Sequence, residues 1–373
     1  MDFRYSDDQQ SIVDLASQLL SEQSTHERQR AIETGGGPRF DRDLWEQLAE
    51  TGLLGTAVPE AQGGAGLGFF ELALIVEQVG AHAAPVPVLE TLVMGALPLA
   101  EFGTEAQKQA WLPGIVAGDR IVTAALVEAL SDIEQPQTKA TAKDGGYTLD
   151  GVKNCVPAAQ IADLILVPAT IGDDAAVFLV DPKAEGVTVE PVQTTSGQPE
   201  ARVTLSSVAV SGDAVLGTPA QGARILEWIR LRSTAAYCSL ALGVCSTALR
   251  LNAEYAKERK QFGSPIATFQ AVGQRMADAY VDVEAIRLTS WQAAWRISEG
   301  LDAREAVAKA KYWASFGGQR VVHTAVHQHG GMGVDRDYPL HRFFLYEKQL
   351  ELALGGTSAQ LRRLGKMIAD GEA

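Results

Sequence analysis

Apolar residues recur at spacings of three and four through Ser11 to Leu20. Ile12, Val13, Leu15, Ala16, Leu19 and Leu20 form one stripe, which predicts an amphipathic helix. Asp41 stands just ahead of Leu44, Trp45 and Leu48, where its carboxylate can cap a second helix that stops at Gly52. A turn-rich connector, PEAQGGAGLG from Pro59 to Gly68, precedes a further helical run from Phe69 to Val79. After Gly118 and Asp119 the period shortens. From Ile121 to Leu216 the runs IVTAALV, YTLDGVKNCV, DLILVPAT, AAVFLV, VTVEPV and ARVTLSSVAV alternate with Gly, Asp and Pro turns. They predict roughly five to seven short strands closing into a barrel or sandwich. Helical periodicity returns at Gly222, and Ile225–Lys257 and Phe269–Ser298 contain no proline. Helices, then strands, then helices make an α+β chain, with domains expected at 1–118, 119–218 and 219–373.

Composition narrows the function classes. The chain has 373 residues, enough for two or three structural units. With 21% charged and 46% hydrophobic residues it reads as a packed protein rather than a disordered one. A net charge of -14 argues against nucleic acid, because phosphate binding draws on clustered Lys and Arg. Three scattered cysteines, Cys155, Cys238 and Cys245, form neither a disulfide framework nor a zinc pattern, and fit a reducing cytoplasm. The first twenty residues lack a basic region followed by an apolar core. No apolar run reaches about eighteen residues, so neither secretion nor a membrane span is expected.

Candidate chemistry gathers in two strings. In ERKQFGSPIATFQAVGQRMAD, Glu258 to Asp278, Arg259 ends a helix and offers a planar, permanently charged fork suited to a pyrophosphate. Gln261 adds a neutral hydrogen-bonding group, and Phe262 can cover a ring or sugar face. In HQHGGMGVDRDYPLHR, His327 to Arg342, Gly330 and Gly331 lack side chains that would keep an anion from backbone N–H groups. Taken singly these features are ordinary: Lys257 to Lys260 is a charged quartet of the kind that covers a solvated face, and two glycines usually stop a helix. His323, His327 and His329 have the spacing of metal ligands. No H-E-x-x-H pattern or nearby acidic ligand completes a site, so no metal is expected.

The two strings, in this order and separation and with GLLGTAVPEAQGGAGLG upstream, resemble the acyl-CoA dehydrogenase family from near residue 6 to near 365. The resemblance implies an N-terminal helical domain, a middle β-barrel domain and a C-terminal four-helix bundle. It implies FAD as cofactor and an acyl-CoA substrate. Arg259, Gln261, Phe262, Gln270, His327, Gly330 and Gly331 would hold the ADP portion of an FAD belonging to a neighbouring subunit. His327 stands where many relatives carry a flavin-contacting glutamine.

The same resemblance exposes what is missing. The family's reaction removes the α proton of a thioester with a glutamate while hydride passes to the flavin, and the protein must supply that base. Relatives place the glutamate either before Gly-Thr near the C-terminus or on the helix before R-x-x-F-G. Here those positions are Gly355 and Ser233, and neither is a base, so no catalytic residue is assigned. The family's T-E-P-x-A-G-S-D loop is replaced by LVEALSDIEQPQ, Leu126 to Gln137, which keeps Glu128. Its W-I-T string becomes Cys155, Val156 and Pro157, and the proline removes a backbone N–H. Glu347 and Glu351 precede the glycine pair and read as surface charges paired with Lys348 or an arginine.

In its FQAVGQRMADAYVDVEAIRLT run, Phe269 to Thr289, and its ALGGTSAQLRRLGKMIA ending, Ala353 to Ala369, the chain most resembles the non-catalytic small subunit of the heterotetrameric enzymes that shorten steroid side chains in bacterial cholesterol degradation. Such a subunit has a homologous partner carrying the glutamate and shares its FAD. Electrons would leave through an electron-transfer flavoprotein. Two other readings stand beside this one: a self-sufficient homotetramer with a displaced base such as Glu351, and a flavin-free structural paralogue.

Overall fold

The computed structural model describes residues 4–372. Two compact units emerge, each assembled from segments distant in sequence. The helix–strand–helix order of the α+β reading holds.

One unit comprises the chain up to Gln29, Phe69–Ala84 and the chain from Thr234 onward. Its early helices are α1 (Asp7–Gln23) and the start of α2 (His26–Thr34). Ser6 and Gln9 close a reciprocal capping box on α1. α4 (Phe69–Ala81) crosses α7 (Gly222–Glu258) at a glycine. A Cβ on Gly243 would lie 2.0 Å from the Glu77 carbonyl oxygen, so only glycine allows that approach. Thr247 donates to the Ala81 carbonyl at 2.7 Å and Trp291 Nε1 to buried Glu77 at 3.2 Å, tying α4 to α7 and to α8 (Gln270–Ser298). α9 (Arg304–His329) packs along α8, and α10 (Leu340–Leu352) and α11 (Thr357–Asp370) pack on α9. α7 is long and apolar enough in composition to cross a membrane. However, 72% of that stretch is buried in the protein, which accounts for its apolarity.

The other unit comprises Arg30–Gly68 and Pro85–Ser233. α3 (Arg42–Glu50) starts where the sequence predicts, with Asp41 accepting from Leu44 N–H at 3.0 Å. Trp45 is fully buried and donates to the Gly118 carbonyl at 2.9 Å. A π-helix, Leu89–Ala96, runs into α5 (Leu97–Phe102) and is followed by α6 (Glu105–Val116). The strands are β1 (Val122–Ala124), β2 (Lys139–Lys143), β3 (Gly146–Pro157), β4 (Leu164–Ile171), β5 (Asp174–Val180), β6 (Val187–Val192) and β7 (Glu200–Ser211). They form one seven-stranded sheet in the order β1-β4-β2-β3-β7-β6, with β5 paired to β4. β1 and β2 each run parallel to β4, and the other pairs are antiparallel. β2 went unrecognised in the sequence, since KATAK carries two lysines and one buried residue, Ala140. β3 slips register between Lys153 and Val156, with Cys155 at φ +48°, a bulge that redirects the strand's last residues.

Candidate functional site

α7 ends at Glu258, and the chain then folds into a small hairpin of β8 (Lys260–Gln261) and β9 (Ser264–Pro265). Phe262 and Gly263 form its tip at φ +51° and +80°, a pair of left-handed residues that matches the right-handed twist of the strands. Arg259 opens the hairpin. Its N–H donates to the Tyr255 carbonyl at 2.8 Å and its carbonyl accepts from Ile266 at 2.8 Å, so its backbone is fixed while its side chain is exposed. Gln261 is exposed and folds onto the Lys260 carbonyl at 2.8 Å. Phe262 is 95% exposed and meets Phe269 edge-on, with centroids 6.2 Å apart. Gln270, also exposed, begins α8.

His327 lies exposed in the last turn of α9. Gly330 turns the chain at φ +59° and ψ -134°, its N–H returning to the His327 carbonyl, and among the described residues beyond the adjoining backbone nothing lies within 4 Å of a Cβ built on Gly330 or Gly331. Two partly buried connections join this turn to α7, whose end carries the hairpin, and to α8. The His329 ring stacks on Tyr255 at 4.1 Å. Gln328 accepts from Asn252 of α7 at 2.8 Å and donates to the Val272 carbonyl of α8 at 3.1 Å. The seven predicted binding residues thus come from segments fastened at one end of these helices. They present an exposed guanidinium, two amides, an imidazole, an aromatic face and a glycine backbone that no side chain covers. Such a set suits a ligand that pairs phosphate with aromatic rings.

The expected base positions behave differently. Gly355 sits at φ +95°, and a Cβ there would meet Ala359 Cβ at 3.1 Å and Gln360 Nε2 at 3.3 Å. Its carbonyl accepts from Gln360 at 2.8 Å. Ser233 is fully buried, and its hydroxyl has no hydrogen-bond partner among the described residues. Neither position exposes a group that can take a proton.

Glu351 pairs with Lys348 at 2.5 Å, as its sequence context suggests. Glu347 does not: it is fully buried, with neither carboxylate oxygen hydrogen-bonded among the described residues. The α10 stripe of Phe343, Tyr346 and Leu350 turns it inward against Gly318, Cys245 and Lys311. Burial pushes its pKa well above the usual 4.5, outweighing the pull of the Lys311 ammonium. Lys311, 1% exposed, donates to the Leu350 and Glu351 carbonyls at 2.6 and 3.2 Å and so caps the helix that leads to Gly355.

In the sheet unit Glu128 turns inward. It accepts from Lys153 at 2.6 Å and from the Thr138 N–H and hydroxyl at 3.0 and 2.5 Å, and also from Gln137 N–H. The buried Lys153 is pushed down to about 8 by burial against the attraction of Glu128. Glu128 is held at about 2, because the Lys153 charge and these hydrogen bonds overcome its own desolvation. One carboxylate therefore fastens both ends of the 128–138 loop. Lys153 had no role in the sequence reading, and His329 entered it only as a metal-ligand candidate that was set aside. The Glu128–Lys153 pair and the stacking of His329 on Tyr255 both join residues far apart in sequence.

Family models match across the chain: acyl-CoA dehydrogenase, N-terminal domain, over residues 6–119; middle domain, over 127–208; and C-terminal domain, over 221–369. The chain is 40% identical to acyl-CoA dehydrogenase FadE27 of Mycobacterium tuberculosis over 378 residues, covering 99% of both. Among solved structures it is similar to a chain of the ChsE4-ChsE5 complex from Mycobacterium tuberculosis, at 40% identity, TM-score 0.95 and 99% coverage of both chains. It is also similar to a chain of a variant of the Tcur3481-Tcur3483 steroid ACAD, at 43% identity, TM-score 0.92 and 98% coverage of both.

Proposed function

The chain belongs to the acyl-CoA dehydrogenase family, and within it we propose that this is a subunit of a heteromeric enzyme that does not carry the catalytic base. Members of the family bind FAD. The observation that carries the proposal is that both base positions are lost while the exposed clamp is kept. Gly355 occupies a left-handed, crowded site, and Ser233 is buried.

In this reading a homologous partner supplies the glutamate and most of the acyl-CoA site. Arg259, Gln261 and Gln270 hold the diphosphate and sugar of FAD bound at the partner. Phe262 and His327 cover its rings, and Gly330 and Gly331 leave room for backbone N–H groups to approach. Bound FAD supplies the hydride acceptor. The two-chain structures named above support a heteromer, and the word steroid in one of their names supports a steroid-CoA thioester as substrate. A cytoplasmic location and an electron-transfer flavoprotein as acceptor complete the proposal.

Coexpression with a homologous partner, followed by an absorbance spectrum of the purified complex, tests it. About one FAD for every two chains is expected, because each shared site needs one of each chain. A lone chain that retains flavin and turns over an acyl-CoA sinks the proposal.

A further inference from the structure

The clamp has two halves that are separated in sequence: the Arg259 hairpin and the Gly330–Gly331 turn. Between them lies one buried residue that the reaction does not use. His329 is 3% exposed, and each part of its imidazole is engaged. Nδ1 lies 2.8 Å from the Ala325 carbonyl, which can only accept, so Nδ1 carries the proton. Nε2, at 3.2 Å, therefore accepts from the Tyr338 hydroxyl. The ring face stacks on Tyr255 at 4.1 Å and 19°.

Tyr255 holds Arg259 through its main chain, since its carbonyl accepts the Arg259 N–H at 2.8 Å. His329 is bonded directly to Gly330. This aromatic contact, beside the Gln328–Asn252 hydrogen bond, therefore sets how far the Arg259 backbone stands from the glycine turn. Burial lowers the His329 pKa, in keeping with the neutral ring these partners require.

We propose that His329 is a positioning residue for the FAD clamp: its neutral ring, held between Tyr255 and Tyr338, sets the spacing between Arg259 and Gly330–Gly331. The inference rests on the clamp reading above. Its distinguishing consequence is energetic coupling. A residue that acts only by setting Arg259 against the glycine turn loses its effect once Arg259 is gone, whereas a residue that merely supports the fold adds its loss to any other.

The experiment uses the coexpressed complex, stripped of flavin and titrated with FAD by fluorescence. His329→Ala is expected to weaken FAD about tenfold, Tyr338→Phe about threefold, and Arg259→Ala tenfold or more. His329→Ala placed in the Arg259→Ala background is expected to change the affinity by less than about twofold. Unchanged affinity in both His329→Ala and Tyr338→Phe, or full additivity with Arg259→Ala, overturns the positioning role and leaves the clamp standing. Unchanged affinity in Arg259→Ala overturns the clamp and this inference with it. If His329→Ala does not assemble, Tyr338→Phe alone and combined with Arg259→Ala decides by the same rule.

Discussion

Gly318 and Glu347 face each other so closely that a Cβ on Gly318 would lie 2.2 Å from Glu347 Oε1. α9 therefore needs a glycine at a mid-helix position where propensity disfavours it, because α10 brings a carboxyl into the same space.

Gly318→Ala is thus expected to destabilise the chain by about 1–3 kcal/mol through overpacking, in spite of alanine's better helix propensity. Urea unfolding of the complex measures it, and an unchanged or raised midpoint removes the steric argument.

Glu347 makes a prediction about pH. Its folded-state pKa is raised by burial, so above the ordinary 4.5 the unfolded chain has lost a proton that the folded chain retains. Its contribution to stability is full below 4.5 and is lost progressively as pH rises toward the folded value. Glu347→Gln, which carries no titrating proton, is expected to flatten the decline of melting temperature with pH in that window. A variant whose profile runs parallel to the parent's contradicts the assignment.

Glu128 works in the opposite sense. Its pKa is depressed to about 2, so its contribution is full above 4.5 and is lost as pH falls from there to about 2. Glu128→Gln leaves Lys153 buried without a counter-charge, and a loss of about 3 kcal/mol is expected in urea unfolding at neutral pH. The acid limb of the stability profile should become shallower in the same variant.

Restoring a glutamate by name does not restore a base. At φ +95° and with Ala359 at 3.1 Å, Gly355→Glu is expected to cost about 1–2 kcal/mol and to give no acyl-CoA turnover by the chain alone. Ser233→Ala removes a buried hydroxyl that makes no hydrogen bond among the described residues, so stability is expected to stay within about 0.5 kcal/mol of the parent or to rise. Melting curves and a dye-reduction assay on the lone chain check both. Turnover by Gly355→Glu alone contradicts the geometry.

Local signals carried well. Asp41 caps α3, the proline-free runs are α7 and α8, and five of the six predicted strand runs overlap strands of at least six residues. The family was readable from short strings, because those strings specify a hairpin and a turn through nearby residues. Where side chains face was less readable. Glu347 passes for a surface charge in sequence, since Lys348 and Glu351 flank it. It is buried because Tyr346, Phe343 and Leu350 set the inward face of α10.

The sequence by itself determined the α+β order, the family and the absence of a carboxylate at Gly355 and Ser233, since each of these depends on residue identity and short spacing. Only the tertiary structure decided that Gly355 is left-handed and crowded, that Lys153 and Glu347 are buried, and that His329 lies between Tyr255 and Tyr338. Gly355 is crowded by the next helix, whereas the burial of Lys153 and Glu347 and the stacking of His329 on Tyr255 come from elements tens of residues or more apart meeting in a packed interior. There a single bulge or helix crossing fixes which way a side chain points, and no local pattern records it.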